Sequence, residues 1–118
     1  LKILLLLNAL IEGGAGLAFL FWPGLDQYIP GLEPDAGSAL LIKMYGVSAL
    51  CLGIFSLVLW SRTYALELLL PGLGIFALFH AVLTAVLLLY SPDPRPAVLH
   101  GALALGFLTA YFRMRVSG

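Results

Sequence analysis

The chain has 118 residues, 62% of them hydrophobic and 10% charged, whereas an ordinary soluble domain carries about 25% charged residues, so a water-soluble globule is excluded. Spans of about 20 residues limit a chain of this length to four or five membrane crossings. Six Lys and Arg balance six Asp and Glu, and Cys51 is the single cysteine, which leaves no basic surplus for nucleic acid and permits no intramolecular disulfide.

The first apolar run, about 3–22, is interrupted only by Asn8 and Glu12 before Pro23-Gly24 ends it. Its opening resembles a secretory signal, with Gly16-Leu17-Ala18 as a cleavage-like site, but apolar sequence continues through Phe19-Leu20-Phe21-Trp22, so a retained span is expected. Pro23 to Gly37 holds three prolines and the acids Asp26, Glu33 and Asp35. Such residues stop a helix and favour water, while Trp22, Tyr28 and Ile29 suit the headgroup level, which predicts a connection lying along the interface.

The second run, about 38–60, has Lys43 as its only charge, and Ser61-Arg62-Thr63-Tyr64 forms a polar turn. The third, about 65–90, contains Glu67, Pro71-Gly72 and His80; Pro71 removes one backbone hydrogen bond and predicts a kink. Ser91-Pro92-Asp93-Pro94-Arg95 then forms a rigid turn before the fourth run, about 96–113, closed by Arg113 and Arg115. Lys2, Arg62, Arg113 and Arg115 fall on one side, and Asp26, Glu33, Asp35 and Asp93 gather opposite with Arg95. Positive-inside then places both termini in the cytoplasm of a bacterial cytoplasmic membrane. Short connections after the second and third spans force antiparallel neighbours. The expected fold is a single all-α domain: an integral membrane, up-down-up-down four-helix bundle.

Helices in lipid associate through close backbone approach rather than hydrophobic contact. The small-residue rows Ala9/Gly13, Gly14/Ala18, Ala49/Gly53, Ala77/Ala81/Ala85 and Ala102/Gly106/Ala110 give every helix a packing face. These faces hold the monomer together and can also serve other membrane subunits or a second copy.

A charged side chain at bilayer depth costs about 2.5–3.5 kcal/mol on insertion scales, so each needs a partner or a task. At about 1.5 Å of rise per residue, Glu12, Ser48 and His80 share a level roughly 15 Å deep. Lys43 and His100, at about 6–8 Å, form a shallower polar level. Asn8 and Glu12 share a face with Gly16, and His80 shares one with Thr84. The candidate ligand-binding or proton-relay residues are therefore Glu12, Ser48, His80, Thr84 and Asn8, with Lys43 and His100 as outer-level candidates. A Glu and a His facing each other in a dry cavity hold one proton between them or bind the polar head of a greasy ligand; the plainer alternative is a protonated Glu12 in a structural hydrogen bond. Lys43 is expected to snorkel to headgroup phosphate or to the acidic loop through Glu33 or Asp35, and Glu67 to be a surface charge.

Haem is disfavoured, because a level difference of about 9 Å separates His80 from His100. One cysteine and two scattered histidines offer no metal-binding cluster, so no metal is expected. Gly13-Gly14-x-Gly16 lies inside a span with no preceding strand and is a packing feature. There are too few polar residues to line a pore.

Taken in order, the Gly-rich Glu12-Gly13-Gly14-Ala15-Gly16-Leu17, the Pro-containing loop, Lys43-Met44-Tyr45-Gly46-Val47-Ser48-Ala49-Leu50, a third-helix His and His100-Gly101 resemble the small four-helix DoxX-like membrane proteins over nearly the whole chain. The resemblance implies a four-helix membrane fold and, for some members, association with quinone-linked redox enzymes; where that group often carries Arg, this chain has Lys43. Two functions are expected: a non-catalytic accessory or scaffolding subunit of a larger membrane complex, or a lipophile-binding, redox-associated protein or enzyme with quinone or lipid at a Glu12/His80 site. A transporter would need discontinuous helices near the midplane, and only Pro71-Gly72 hints at one.

Overall fold

The computed structural model describes residues 1–29, 31, 33 and 35–117; Pro30, Pro34 and the Asp26 side chain, counted above in the connecting loop, lie outside the described residues. The chain is all-α: among the described residues α1 lies at Lys2–Phe21, α2 at Ala36–Ser61, α3 at Leu66–Tyr90 and α4 at Arg95–Ser117, with a 3₁₀ turn at Leu25–Tyr28. All four helices are long and apolar enough to cross a membrane. Each falls within a few residues of its expected span, and α4 continues past the expected end at 113, carrying Arg115 in its last turn, where a cation complements the helix dipole.

The ends follow from local chemistry. Beyond Phe21, Pro23 cannot continue α1, and Gly24 adopts φ +71°, a conformation open to glycine without penalty. The α2 helix starts earlier than expected because Asp35 caps it: its Oδ1 accepts the Ser38 backbone N–H at 2.7 Å, the Ncap-to-N3 bond that serves an otherwise unpaired helical donor. Before α4, Asp93 Oδ1 accepts the Arg95 backbone N–H at 3.0 Å, and its carboxylate receives Arg95 Nε and Nη2 at 2.9 and 2.8 Å. The Arg95 side chain and backbone hold the Asp93 carboxyl below its usual range, and the Ser38 N–H does the same for Asp35. A carboxyl with a depressed folded value contributes stability that is complete above the ordinary carboxylate range, about pH 4, and is lost as pH falls through the folded value. Amide protection factors at the first turns of α2 and α4 are therefore expected to fall as pH drops below about 4, while those in mid-helix stay high; unchanged protection at Ser38 and Arg95 would refute the capping role.

The chain forms two compact units, one spanning Leu5–Val58 and the other Leu1–Leu4 with Leu59 onward. In the first, α1 and α2 run antiparallel with backbones in close approach. A Cβ on Gly53 would stand 2.6 Å from the Gly13 amide nitrogen, one on Gly16 would stand 2.6 Å from that of Leu50, and Gly46 meets Phe19 and Leu20. Ala9 and Ala49 are buried in the same row. Small residues permit the approach that lipid-embedded helices need, and the Ala9/Gly13 and Ala49/Gly53 rows are the ones used. Gly14 has nothing within 4 Å, so the Gly14/Ala18 row expected to pack does not close on a neighbour within this unit. Phe19 meets Tyr45 edge-on with centroids 5.1 Å apart, and the Ser56 hydroxyl donates to the Leu5 carbonyl at 2.8 Å.

In the second unit α3 and α4 pack against each other along their length. Phe76 lies against Phe107 (5.0 Å between centroids), Gly74 faces Tyr111 and Gly101 faces Thr84, which fixes an antiparallel register. Leu59, at the end of α2, fills the space over Gly72, and Leu4 lies over Gly106. Pro71 sits inside a helix that continues from Leu66 to Tyr90. Of the small-residue rows on these helices, Ala77 is buried but Ala81, Ala85 and Ala102 are exposed, because Leu69, Leu73, Phe76, Phe107 and Leu103 fill the interior instead.

Candidate functional site

The α3–α4 unit brings its two histidines together. His80 lies on the stripe Leu69, Leu73, Phe76, His80 of α3, and His100 on the stripe Ala97, His100, Leu103, Phe107 of α4, all buried. Spacings of three and four keep such residues on one helical face. His80 Nδ1 stands 2.9 Å from His100 Nδ1, within hydrogen-bond range, with ring centroids 5.1 Å apart. Phe107 also stacks with His80, its ring within 2° of parallel at 5.7 Å, and Phe79 meets His80 edge-on. The Thr84 hydroxyl donates to the His80 carbonyl at 2.7 Å, so it steadies the helix turn and does not extend the polar site.

This corrects the expectation that the two histidines occupy separate levels and are scattered. Thr84 faces Gly101, His80 lies one turn from Thr84 and His100 one residue from Gly101 in the opposite sense, so the two backbones differ by about 7.5 Å of rise at the histidines. Two imidazole side chains leaning toward each other close that gap; a count of Cα positions leaves out their reach. As ligands, the pair supplies two of the four donors a tetrahedral metal takes.

The chemistry of the pair follows from its hydrogen bond. One Nδ1 donates and the other accepts, so at least one ring carries no proton on Nδ1. When both rings are neutral, the donor carries its remaining lone pair on Nε2 and the acceptor carries its proton there. A proton arriving at one Nε2 and another leaving from the other exchanges the tautomers and restores the pair, which is the elementary step of a relay.

The α1–α2 unit holds the other candidates. Asn8 and Glu12 are buried on α1, at 0% and 1% exposure, and share that face with the buried Gly16, as their spacing predicts. Ser48 does not join them: it is exposed, and its hydroxyl donates to the Met44 carbonyl of its own helix at 3.1 Å. The buried serine of α2 is Ser56, which the sequence reading passed over. The available signal was the row Ala49, Gly53, Ser56, whose three- and four-residue steps continue the packing face, whereas Ser48 is one residue out of phase. Lys43 has a partner that its position in the sequence did not point to. Its ammonium donates to the Leu20 carbonyl at the end of α1, one of the terminal carbonyls with no helical donor, while Asp35 is engaged by Ser38. Glu67 is exposed in the first turn of α3, where a negative charge suits the helix dipole.

No family model matches the chain, and no curated protein or solved structure matches it.

Proposed function

We propose that this integral membrane protein binds the polar head of a lipophile, of the quinone class, at the His80–His100 pair and exchanges a proton with it, as a component of a membrane redox system. The observation that supports this most directly is the buried Nδ1–Nδ1 contact at 2.9 Å inside a hairpin of two membrane-spanning helices. Ionisable groups at that depth are expensive to keep and mark ligand or proton pathways. A pair that presents a donor on one ring and an acceptor on the other is matched to a carbonyl or hydroxyl head. His100 retains 7% exposure against 0% for His80, so the head approaches from the His100 side. Glu12 and Asn8, buried on α1, are the remaining candidates for proton handling, on the same reasoning about cost. The resemblance to DoxX-like proteins points toward the same redox setting, and the distribution of Lys2, Arg62, Arg113 and Arg115 favours a cytoplasmic location for both termini.

Extraction in mild detergent followed by native mass spectrometry tests the reading. The expected result is a bound lipophile retained by the wild-type protein and lost, by tenfold or more, in His100→Ala with the protein still helical. A protein that carries no lipophile but comes away with stoichiometric membrane subunits, unaffected by His100→Ala, would overturn the proposal in favour of an accessory or scaffolding subunit.

A further inference from the structure

A second polar place lies away from the histidines, where α1 ends and α2 begins. There a pocket of about 300 Å³ is lined by Phe19, Trp22, Pro23, Ala39, Ile42 and Lys43, among others. It sits at the ends of two helices long and apolar enough to cross a membrane, where tryptophan and lysine side chains favour the headgroup level. Among the described lining residues Lys43 alone is charged. Asp35 is not one of them: it is exposed, and its carboxylate accepts from Ser38.

The cation of this pocket is held in place. The α2 helix begins at Ala36, so the Lys43 backbone lies about 10 Å of rise inside that end. Side chains on a helix lean toward its N-terminus, which for α2 is the pocket's own end, and the Lys43 stem therefore leads its ammonium outward. There the ammonium donates to the Leu20 carbonyl in the last turn of α1, which would otherwise present part of the negative pole of the helix dipole. An ammonium has three hydrogens, of which this carbonyl takes one.

A fixed positive charge with no acid in the described lining calls for an anion. At the headgroup level of a bilayer that anion is a phosphodiester. Every phospholipid brings one, so the net charge of the headgroup decides among them. A zwitterion adds an ammonium that no lining carboxylate receives and that Lys43 repels, whereas an anionic headgroup adds no second cation. Phe19 and Ile42 offer the glycerol and the first acyl carbons an apolar wall, which a free phosphate has no means to use.

We infer that this pocket seats the headgroup of an anionic phospholipid, with its phosphate on the Lys43 ammonium. The site stands apart from the histidine pair and from any lipophile bound there.

The test is lipid competition on the purified full chain. Delipidated protein is given equal amounts of dioleoyl phosphatidylglycerol, phosphatidylethanolamine and phosphatidylcholine, and bound lipid is read by native mass spectrometry. One basic residue beside anionic lipid is worth a factor of about five, so the glycerol lipid is expected to be retained about fivefold over each of the other two. Lys43→Gln should abolish that preference and Lys43→Arg should keep it, while Arg62→Gln, beyond the far end of α2, should leave it unchanged. Ala39→Phe, which fills the pocket and spares the charge, should bring phosphatidylglycerol down to the level of the other lipids. A preference that survives Ala39→Phe, or that is lost equally in Arg62→Gln, would overturn the pocket as its source. Equal retention of the three lipids by the wild type, or displacement of phosphatidylglycerol by millimolar inorganic phosphate, would overturn the assignment of an anionic lipid.

Discussion

Gly16→Ala should destabilise the protein by about 1–3 kcal/mol or more, the range for overfilling a packed site, whereas Gly14→Ala, two residues away, should be neutral or slightly stabilising. The difference is geometric. A Cβ at position 16 would lie 2.6 Å from the Leu50 amide nitrogen and 2.8 Å from its Cα, both backbone atoms that no rotamer change can move, while one at position 14 meets nothing within 4 Å. Alanine is otherwise preferred to glycine inside a helix by roughly 0.5–1 kcal/mol, so helix propensity alone would make both changes favourable. Reversible unfolding in mixed micelles separates the two cases. A Gly16→Ala protein as stable as wild type would mean that α1 and α2 do not approach in this way, and the α1–α2 unit would need to be redrawn.

The second large effect is expected at the histidines. Removing one ring leaves a buried polar partner without its bond, which costs about 1–3 kcal/mol. Replacing both removes the donor and the acceptor of this bond together. His80→Leu and His100→Leu should therefore each be destabilising and should combine to much less than their sum, with a coupling within the roughly 0.5–3 kcal/mol seen for residues in direct contact. Additive effects would show that the rings are not bonded in the folded protein. Phe107→Leu is a useful control, because it removes the stacking partner of His80 without touching the hydrogen bond.

The spans were legible in the sequence because length and apolar content suffice for them: Pro23-Gly24, Arg62 to Tyr64 and Ser91 to Pro94 punctuate the runs where the helices stop. Which face of each helix turns inward was legible only in part. In water a buried face is marked by its apolarity, but in lipid the outside is as apolar as the inside, so α2 carries no amphipathic signal that could rank Ser56 above Ser48. Glycine and alanine carried the information instead. Ala9 and Gly13 opposite Gly53 identify the contact, and extending that row would have found Ser56. The histidine pair was missed for another reason. Depth along a single helix can be counted from its end, but whether two side chains meet depends on inter-helix register and on side-chain reach, and neither is contained in a rise per residue. The register here is set by contacts such as Gly101 with Thr84 and Gly74 with Tyr111.

The clamp of Asp93 on Arg95 also bears on how the chain is made. During synthesis α3 emerges first, and His80 leaves the ribosome twenty residues ahead of its partner. Only Ser91 to Pro94 separate α3 from α4, and Asp93 fixes the direction in which the next helix starts, so the interval in which His80 waits for its partner is kept to the time needed to translate the 20 residues between them. A longer or looser connection would prolong that interval and leave α3 open to capture by the wrong neighbour.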